Sequence, residues 1–315
     1  MWLIITILAN LLNGVVYLAD KYFLSQKVHS SVSYAFYVGI WSIGNCVLFI
    51  FNRHIPTFGW LLLDLLAGLI FMAALYFWYK ALHQGETTKV VPIAGSFIPF
   101  FTLLLNLLIG RHNLTSQELA ALIILIVGSG FVSFNPHNTL WHKWWIKIKK
   151  FLQPHKASMR STGRLLFNSL AASFVFATYY VFIKFIYDSQ GFANSFIWTR
   201  LGSFLGALLL LVPARNRRLI FNRPRRQATV KSWPLFLGIR LAAFIAFVMT
   251  NFAISLADVS LVNSLQGLQY LFLLIIVFFM GKHYPKLLKQ EINRDNIWHK
   301  LIGIILINIG LFLLL

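Results

Sequence analysis

Four residues of the first apolar run, Asn10, Asn13, Tyr17 and Lys21, follow one another at intervals of three, four and four, which sets them in one stripe along an α-helix. The stripe carries amide donors and acceptors, a phenol and an ammonium group, the chemistry needed to hold a small polar solute. A shift of 163 positions returns the spacing as Ser173, Phe176, Tyr180 and Lys184, with the Tyr and the Lys at matching places. Polar groups inside an otherwise lipid-compatible helix face either a cavity or hydrogen-bonding neighbours. The repeated Tyr-x-x-x-Lys favours the cavity.

Two arginines also fall inside apolar runs. Arg240 shares a helix face with Asn251, with Phe244 and Phe247 between them, and Arg200 lies within the seventh run. A charge at membrane depth costs several kcal/mol unless it is paired or hydrated. The acidic residues within runs are Asp20 and Asp64, so cations are in excess and point to a solute bearing a carboxylate or phosphate. Snorkelling to an interface is the competing reading for Lys21, Lys184 and Arg240. Arg200 stands about 200° around its helix from Trp198, so the two are not expected to serve one site.

Three further groups complete the expected site. Asn263, Gln266 and Tyr270 share a face of the ninth run, next to Gln269, and their amides suit a zwitterionic or amide-bearing solute or a contact between helices. Pro92 and Pro99, with Gly95 and Ser96 between them, predict kinks that bend the fourth run around a cavity. Gly202-x-x-x-Gly206 predicts a close helix contact or a hinge. Tyr76, Trp78, Tyr79 and Tyr179 read as belts at the membrane interfaces. The expected lining is therefore Asn10, Asn13, Tyr17, Lys21, Ser96, Tyr180, Lys184, Arg240, Asn263, Gln266 and Tyr270.

The elements that must position these residues follow from composition. Of 315 residues, 58% are hydrophobic and 11% charged, more apolar surface than a soluble chain of this length can hide. Ten apolar runs cover 2–24, 32–51, 59–82, 88–109, 115–134, 166–187, 192–213, 233–256, 260–281 and 296–315. Most approach the ~20 residues that cross a bilayer as a helix. The expected fold is an all-α, multi-pass membrane protein.

The formal net charge of +20 would suggest nucleic acid in a soluble chain. Here the basic residues sit mainly in connecting loops, where anionic lipid headgroups are the expected partners and nucleic acid is not. One cysteine, Cys46, leaves no internal disulfide and no metal cluster to expect. The start, Met1-Trp2-Leu3-Ile4, has no basic region before the apolar run, so the first run is expected to be retained as a span.

Repetition organises the chain. Beyond the 163-residue shift, a shift of 172 sets Ala81 on Ala253, Glu86 on Asp258 and Gly95 on Gly267. Five runs in each half, an odd number, require the second half to sit inverted, the architecture of many secondary transporters with a site between the repeats. The expected organisation is a first repeat over 1–135, a basic interfacial linker over 136–165 and a second repeat over 166–315. Loops after odd-numbered runs hold nearly all of the Lys and Arg, and the even-numbered loops hold only Arg53 and Arg111. The positive-inside rule then puts both termini outside. The linker's Trp141–Lys150 stretch reads as an amphipathic segment on the inner leaflet or as a solvated connection.

Residues 75–134 carry a resemblance to a known family: Ala81-Leu82 ends one helix, a short turn follows, and a helix with Pro92 and Pro99 leads to Gly110-Arg111. This resembles EamA-type carriers of the drug/metabolite transporter superfamily, and Phe252–Asp258 is similar to the same pattern in the second half. The chain departs from it in having Arg111 and Lys282 where those carriers often place an acidic residue, and no prolines in the ninth run. The resemblance implies a bacterial inner (plasma) membrane carrier exporting amino acids or related metabolites such as organic anions. Nucleotide-sugar or lipid-linked sugar translocation and a non-transporting scaffold are the alternatives. No phosphate-binding Gly-Lys loop, nucleophile elbow, paired carboxylate or His/Cys ligand set is present, so neither catalysis nor a cofactor or metal is expected.

Overall fold

A computed structural model describes residues 1–26, 30–44, 55–109, 115–133, 156–221, 233–283 and 297–313, and every regular element among them is helical. In chain order these are α1 (Trp2–Gln26), α2 (Ser31–Ile40), α3 (Phe58–Gln84), α4 (Thr87–Leu108), α5 (Ser116–Ser133) and α6 (Lys156–Gln190). They continue as α7 (Phe192–Leu209), α8 (Ala214–Phe221), α9 (Trp233–Leu256), α10 (Val259–Ser264), α11 (Gln266–His283) and α12 (Ile297–Leu313). Cys46, Arg53, Gly110-Arg111 and the Trp141–Lys150 stretch lie outside the described residues.

Among the described residues, six stretches are long and apolar enough to cross a bilayer: Trp2–Leu24, Phe58–Gln84, Thr87–Leu108, Gly163–Gln190, Pro234–Leu256 and Val259–Val277. A seventh is added if α7 and α8, bent by 98° across a short break, form one span. Stretches 116–129 and 301–313 are shorter apolar helices, and the second predicted run is described only as α2 and the turn through Gly44. The protein is therefore a multi-pass helical membrane protein. Its surface agrees: Leu3, Ile4, Leu62, Leu66, Leu241 and Ile245 are exposed, while Asn10, Asp20, Asp64, Arg200, Arg240 and Asn251 are buried. That inversion of the soluble pattern is stable only in hydrocarbon.

Local chemistry sets the breaks. Ser30 caps α2 by accepting from Ser33 N at 3.4 Å, and Asp258 caps α10 by accepting from Ser260 N at 2.7 Å. Gly191 alone joins α6 to α7 at φ 81°, a left-handed backbone that glycine adopts without strain. Lys21 Nζ donates to Leu82 O at 2.7 Å and Gly85 O at 2.6 Å, which closes carbonyls at the end of α3. The ninth run is not one helix: α10 and α11 break at Leu265, whose carbonyl accepts from Asn10 Nδ2 at 2.9 Å. The same carbonyl also accepts from Leu268 N at 3.1 Å, so the side chain of Asn10 adds a second bond at the break.

α3 is the central element, packed on both α6 and α7; α1 packs on α9 and α11, α4 on α6, and α5 on α12. At the α3–α7 seam the two backbones come close together. A Cβ at Gly202 would meet the backbone of Leu65, one at Gly206 would meet Met72, and one at Gly68 would meet the backbone of Thr199, Gly202 and Ser203. Gly202 and Gly206 thus form the close contact that their spacing predicts. The aromatic residues differ from expectation. Trp78, Tyr79 and Tyr179 are 4%, 3% and 0% exposed, so they are interior residues and not interfacial belts. Trp78 and Tyr79 lie on α3 and Tyr179 on α6, and what covers them depends on α6 packing against α3.

Gly202→Leu is expected to overpack the α3–α7 seam and cost at least the ~1–3 kcal/mol of an ordinary overpacked core, because backbone cannot move aside. Gly59→Leu, on the same α3 but with open space at its Cβ, is the control and should melt as the parent does. Thermal unfolding of the detergent-purified protein reads both.

Candidate functional site

A cavity of about 710 Å³ lies among α1, α2 and its following turn, α3, α6, α7 and α9. It runs along α9 from Leu237 to Thr250, which at 1.5 Å per residue is about 20 Å. Among the described residues, three charged side chains line it: Asp20, Arg200 and Arg240. The rest of the wall is mostly apolar and aromatic, with Phe71, Trp78, Phe176, Tyr180, Phe244 and Phe247 prominent.

Asp20 and Arg240 form a buried ion pair between α1 and α9. Two tyrosines complete it. Tyr34 Oη donates to Asp20 Oδ1 at 2.7 Å, Tyr79 Oη donates to Asp20 Oδ2 at 3.2 Å, and Arg240 Nη2 also donates to Tyr34 Oη at 3.2 Å. Four helices, α1, α2, α3 and α9, therefore meet at one carboxylate whose two oxygens both accept bonds. Such closure is what makes a buried charge tolerable.

Arg200 is held differently. It is 2% exposed, and its Nη2 donates to Tyr179 Oη at 3.3 Å. Tyr179 and Tyr187 each donate to Asn251 Oδ1, at 2.8 and 3.1 Å. The guanidinium carbon lies 4.0 Å from the Phe247 ring centre and 4.6 Å from that of Phe71, cation–π contacts that are stronger for being desolvated. No carboxylate pairs with it among the described residues, and its Nε is buried without a hydrogen-bond partner. Asp64, the other buried carboxylate, accepts instead from Gln190 Nε2 at 3.4 and 3.5 Å.

Of the expected lining, the structure brings Asn13, Tyr17, Tyr180 and Arg240 to this cavity. Seven residues lie away from it. Lys21 is bound to the end of α3, and Lys184 pairs with Asp188 at 3.0 Å one turn along α6. Asn10 serves the break at Leu265, and Ser96 Oγ donates to Ile93 O at 3.0 Å within α4. Gln266 Nε2 donates to Asn263 Oδ1 at 3.1 Å, and Asn263 Nδ2 to Thr102 Oγ1 at 3.4 Å, a contact between α4 and the α10–α11 break. Tyr270 is 1% exposed and packs against Gly95, its hydroxyl buried without a partner. Pro92 and Pro99 are buried in α4, which runs through both and contributes nothing to the cavity wall.

Two lining residues lie outside the expected site. Asp20 follows Tyr17 by three positions and so extends its face. Arg200 takes its partners from α3, α6 and α9, which the sequence of its own helix does not show. The signal that could have found Arg200 is its position mid-run with no acidic residue one turn away in either direction.

No family model and no curated protein matches the chain. Among solved structures, one described only as "Crystal structure of protein" is similar over 97% of this chain and 95% of that one, with a TM-score of 0.56 and 13% identity. At that identity the likeness is one of fold: the whole helical arrangement recurs in a crystallised protein.

Asp20→Asn should leave Arg240 buried and unpaired, at a cost of about 3–5 kcal/mol. Asp20→Leu combined with Arg240→Met should recover most of that loss, because it removes both charges together. Melting temperatures of Asp20→Leu, Arg240→Met, their double variant and the parent measure the coupling, with Asp20→Asn as the isosteric comparison.

Proposed function

We propose that the chain is a secondary transporter that moves a small polar metabolite, an amino acid or organic anion, across a membrane by alternating access, in the direction of export. In this reading ten spans form two inverted five-helix repeats of the EamA type, and one repeat rocks against the other around the cavity. The observation that carries the proposal is the cavity itself, which is walled by helices of both halves and holds a buried guanidinium without a carboxylate.

The packing pattern supports the repeat. Exchanging the halves turns the α1–α9 contact into the α6–α3 contact and the α1–α11 contact into the α6–α4 contact, and leaves α5–α12 unchanged; all five are present. The two polar stripes support it in detail. Asn10 donates to Leu265 O, and its counterpart Ser173 donates to Ala94 O at 2.9 Å. Asn13 and Phe176 then line the cavity, as do Tyr17 and Tyr180. Equivalent positions thus do equivalent work on the two sides.

Anionic lipid headgroups fit the outside of the same picture. The exposed Arg215, Arg217 and Arg218 stand on α8, which is anchored to α2 by Ser33 Oγ donating to Leu219 O at 2.7 Å and by the buried Ile220.

The test is flux. Full-length protein in liposomes should accumulate or release labelled solutes from a panel of amino acids and organic anions at rates above empty vesicles. Ala243→Trp, which fills the cavity from α9, should abolish that flux while remaining monodisperse. Flux that persists in a folded Ala243→Trp would separate transport from this cavity.

A further inference from the structure

We infer that the cavity selects a monoanionic carboxylate with an apolar or aromatic body, seated with its carboxylate on Arg200; this rests on the reading of the cavity as the solute site. The argument is one of charge balance in a place of low dielectric. Asp20 carries −1, Arg240 and Arg200 carry +1 each, and these are the charged side chains that line the cavity among the described residues. Asp20 already accepts three hydrogen bonds, from Arg240 and Tyr34 at Oδ1 and from Tyr79 at Oδ2, and its charge is balanced by Arg240. The unoccupied wall therefore carries one net positive charge, located at Arg200, since arginine stays protonated in proteins.

A solute must compensate that charge without adding another. A monoanion brings the balance to zero. A zwitterion leaves it at +1 and also needs an acceptor for its ammonium group, while the one lining carboxylate is engaged. A dianion, or a phosphate ester carrying −1.5 to −2 at neutral pH, overshoots. Each mismatch leaves a charge uncompensated in a desolvated site, where it costs far more than in water.

Shape points the same way. The Nε of Arg200 and that of Arg240 are both buried without a hydrogen-bond partner, but only Arg240 has a carboxylate. Arg200, whose Nη2 serves Tyr179, lines the cavity, and a guanidinium fork takes a planar carboxylate with two parallel hydrogen bonds. Phe71 and Phe247 lie against the guanidinium carbon, and Trp78, Phe176 and Phe244 extend the apolar wall away from it. About 710 Å³ is ample for one ring and a short chain. Asn13, Tyr17 and Tyr180 are left to hold lesser polar groups.

The experiment uses the full chain in lipid nanodiscs and isothermal titration with ligands of one body and different charge. These are 3-phenylpropionate, L-phenylalanine, phenylsuccinate and 3-phenylpropan-1-ol. The acid is expected to bind at least tenfold more tightly than the other three. Arg200→Gln should remove the preference, leaving acid and alcohol alike. Should Arg200→Gln not fold, Arg200→Lys keeps the charge and loses the fork, and is expected to weaken the acid severalfold while leaving the alcohol unchanged.

The inference is overturned by equal binding of acid and alcohol, by tighter binding of phenylalanine, by no binding of the acid, or by parental acid affinity in the folded Arg200 variants. Flux in liposomes separates this from the wider reading. Arg200-dependent binding without flux keeps the site and removes the transporter. Zwitterion flux indifferent to Arg200→Gln keeps the transporter and removes this assignment.

Discussion

The Asp20–Arg240 pair joins α1 to α9 in the buried interior of the bundle, where either charge alone would cost several kcal/mol. Because each needs the other, the two helices are held at one separation and one register. Tyr34 and Tyr79, which donate to one carboxylate oxygen each, extend that constraint to α2 and α3. The floor of the cavity is thus fixed by electrostatics, while the α3–α7 seam that bounds another side is fixed by sterics at Gly68, Gly202 and Gly206. The cavity is the space these two fixed contacts leave between them.

The two arginines divide the labour that the sequence assigns to cations in general. Phe247, beside Arg200, is two turns along α9 from Arg240, so the guanidinium groups belong to one wall at different depths. One is neutralised within the protein and holds helices together. The other is steadied by Tyr179, Phe71 and Phe247, groups that stabilise a cation without cancelling its charge. A fully neutralised cavity would hold an anion no better than a neutral solute, and an unsupported cation would destabilise the empty protein. Aromatic support resolves that conflict.

The two halves share several helix contacts among the described residues, although the extensive α3–α7 contact has no equal between α2 and α9, and they differ in chemistry. Asn10 and Ser173 stitch each half to the other's irregular helix region, and Tyr17 and Tyr180 face the same space. Lys21 and Lys184, equally matched in sequence, have separate local partners: two carbonyls at the end of α3, and Asp188. Repetition in sequence carries backbone geometry across reliably, because spacing on a helix is set by the backbone. It does not carry the environment at a helix end, where one neighbouring residue decides which partner a long flexible side chain takes.

Composition and run length determine that this is a helical, multi-pass membrane protein, since no other solvent accommodates so much apolar surface and no other element satisfies its own backbone there. The spacing of Asn13, Tyr17 and Tyr180 determines which face of α1 and of α6 is polar, and the Gly-x-x-x-Gly of α7 determines where two helices approach. Which cation stands alone was decided by tertiary structure. Asp20 and Arg240 are 220 positions apart, and only the packing of α1 on α9 pairs them and so leaves Arg200 as the uncompensated charge. The break at Leu265 and the burial of Trp78, Tyr79 and Tyr179 were likewise decided there. A helix's own sequence specifies its faces, but the partner each face meets depends on contacts between segments far apart in the chain.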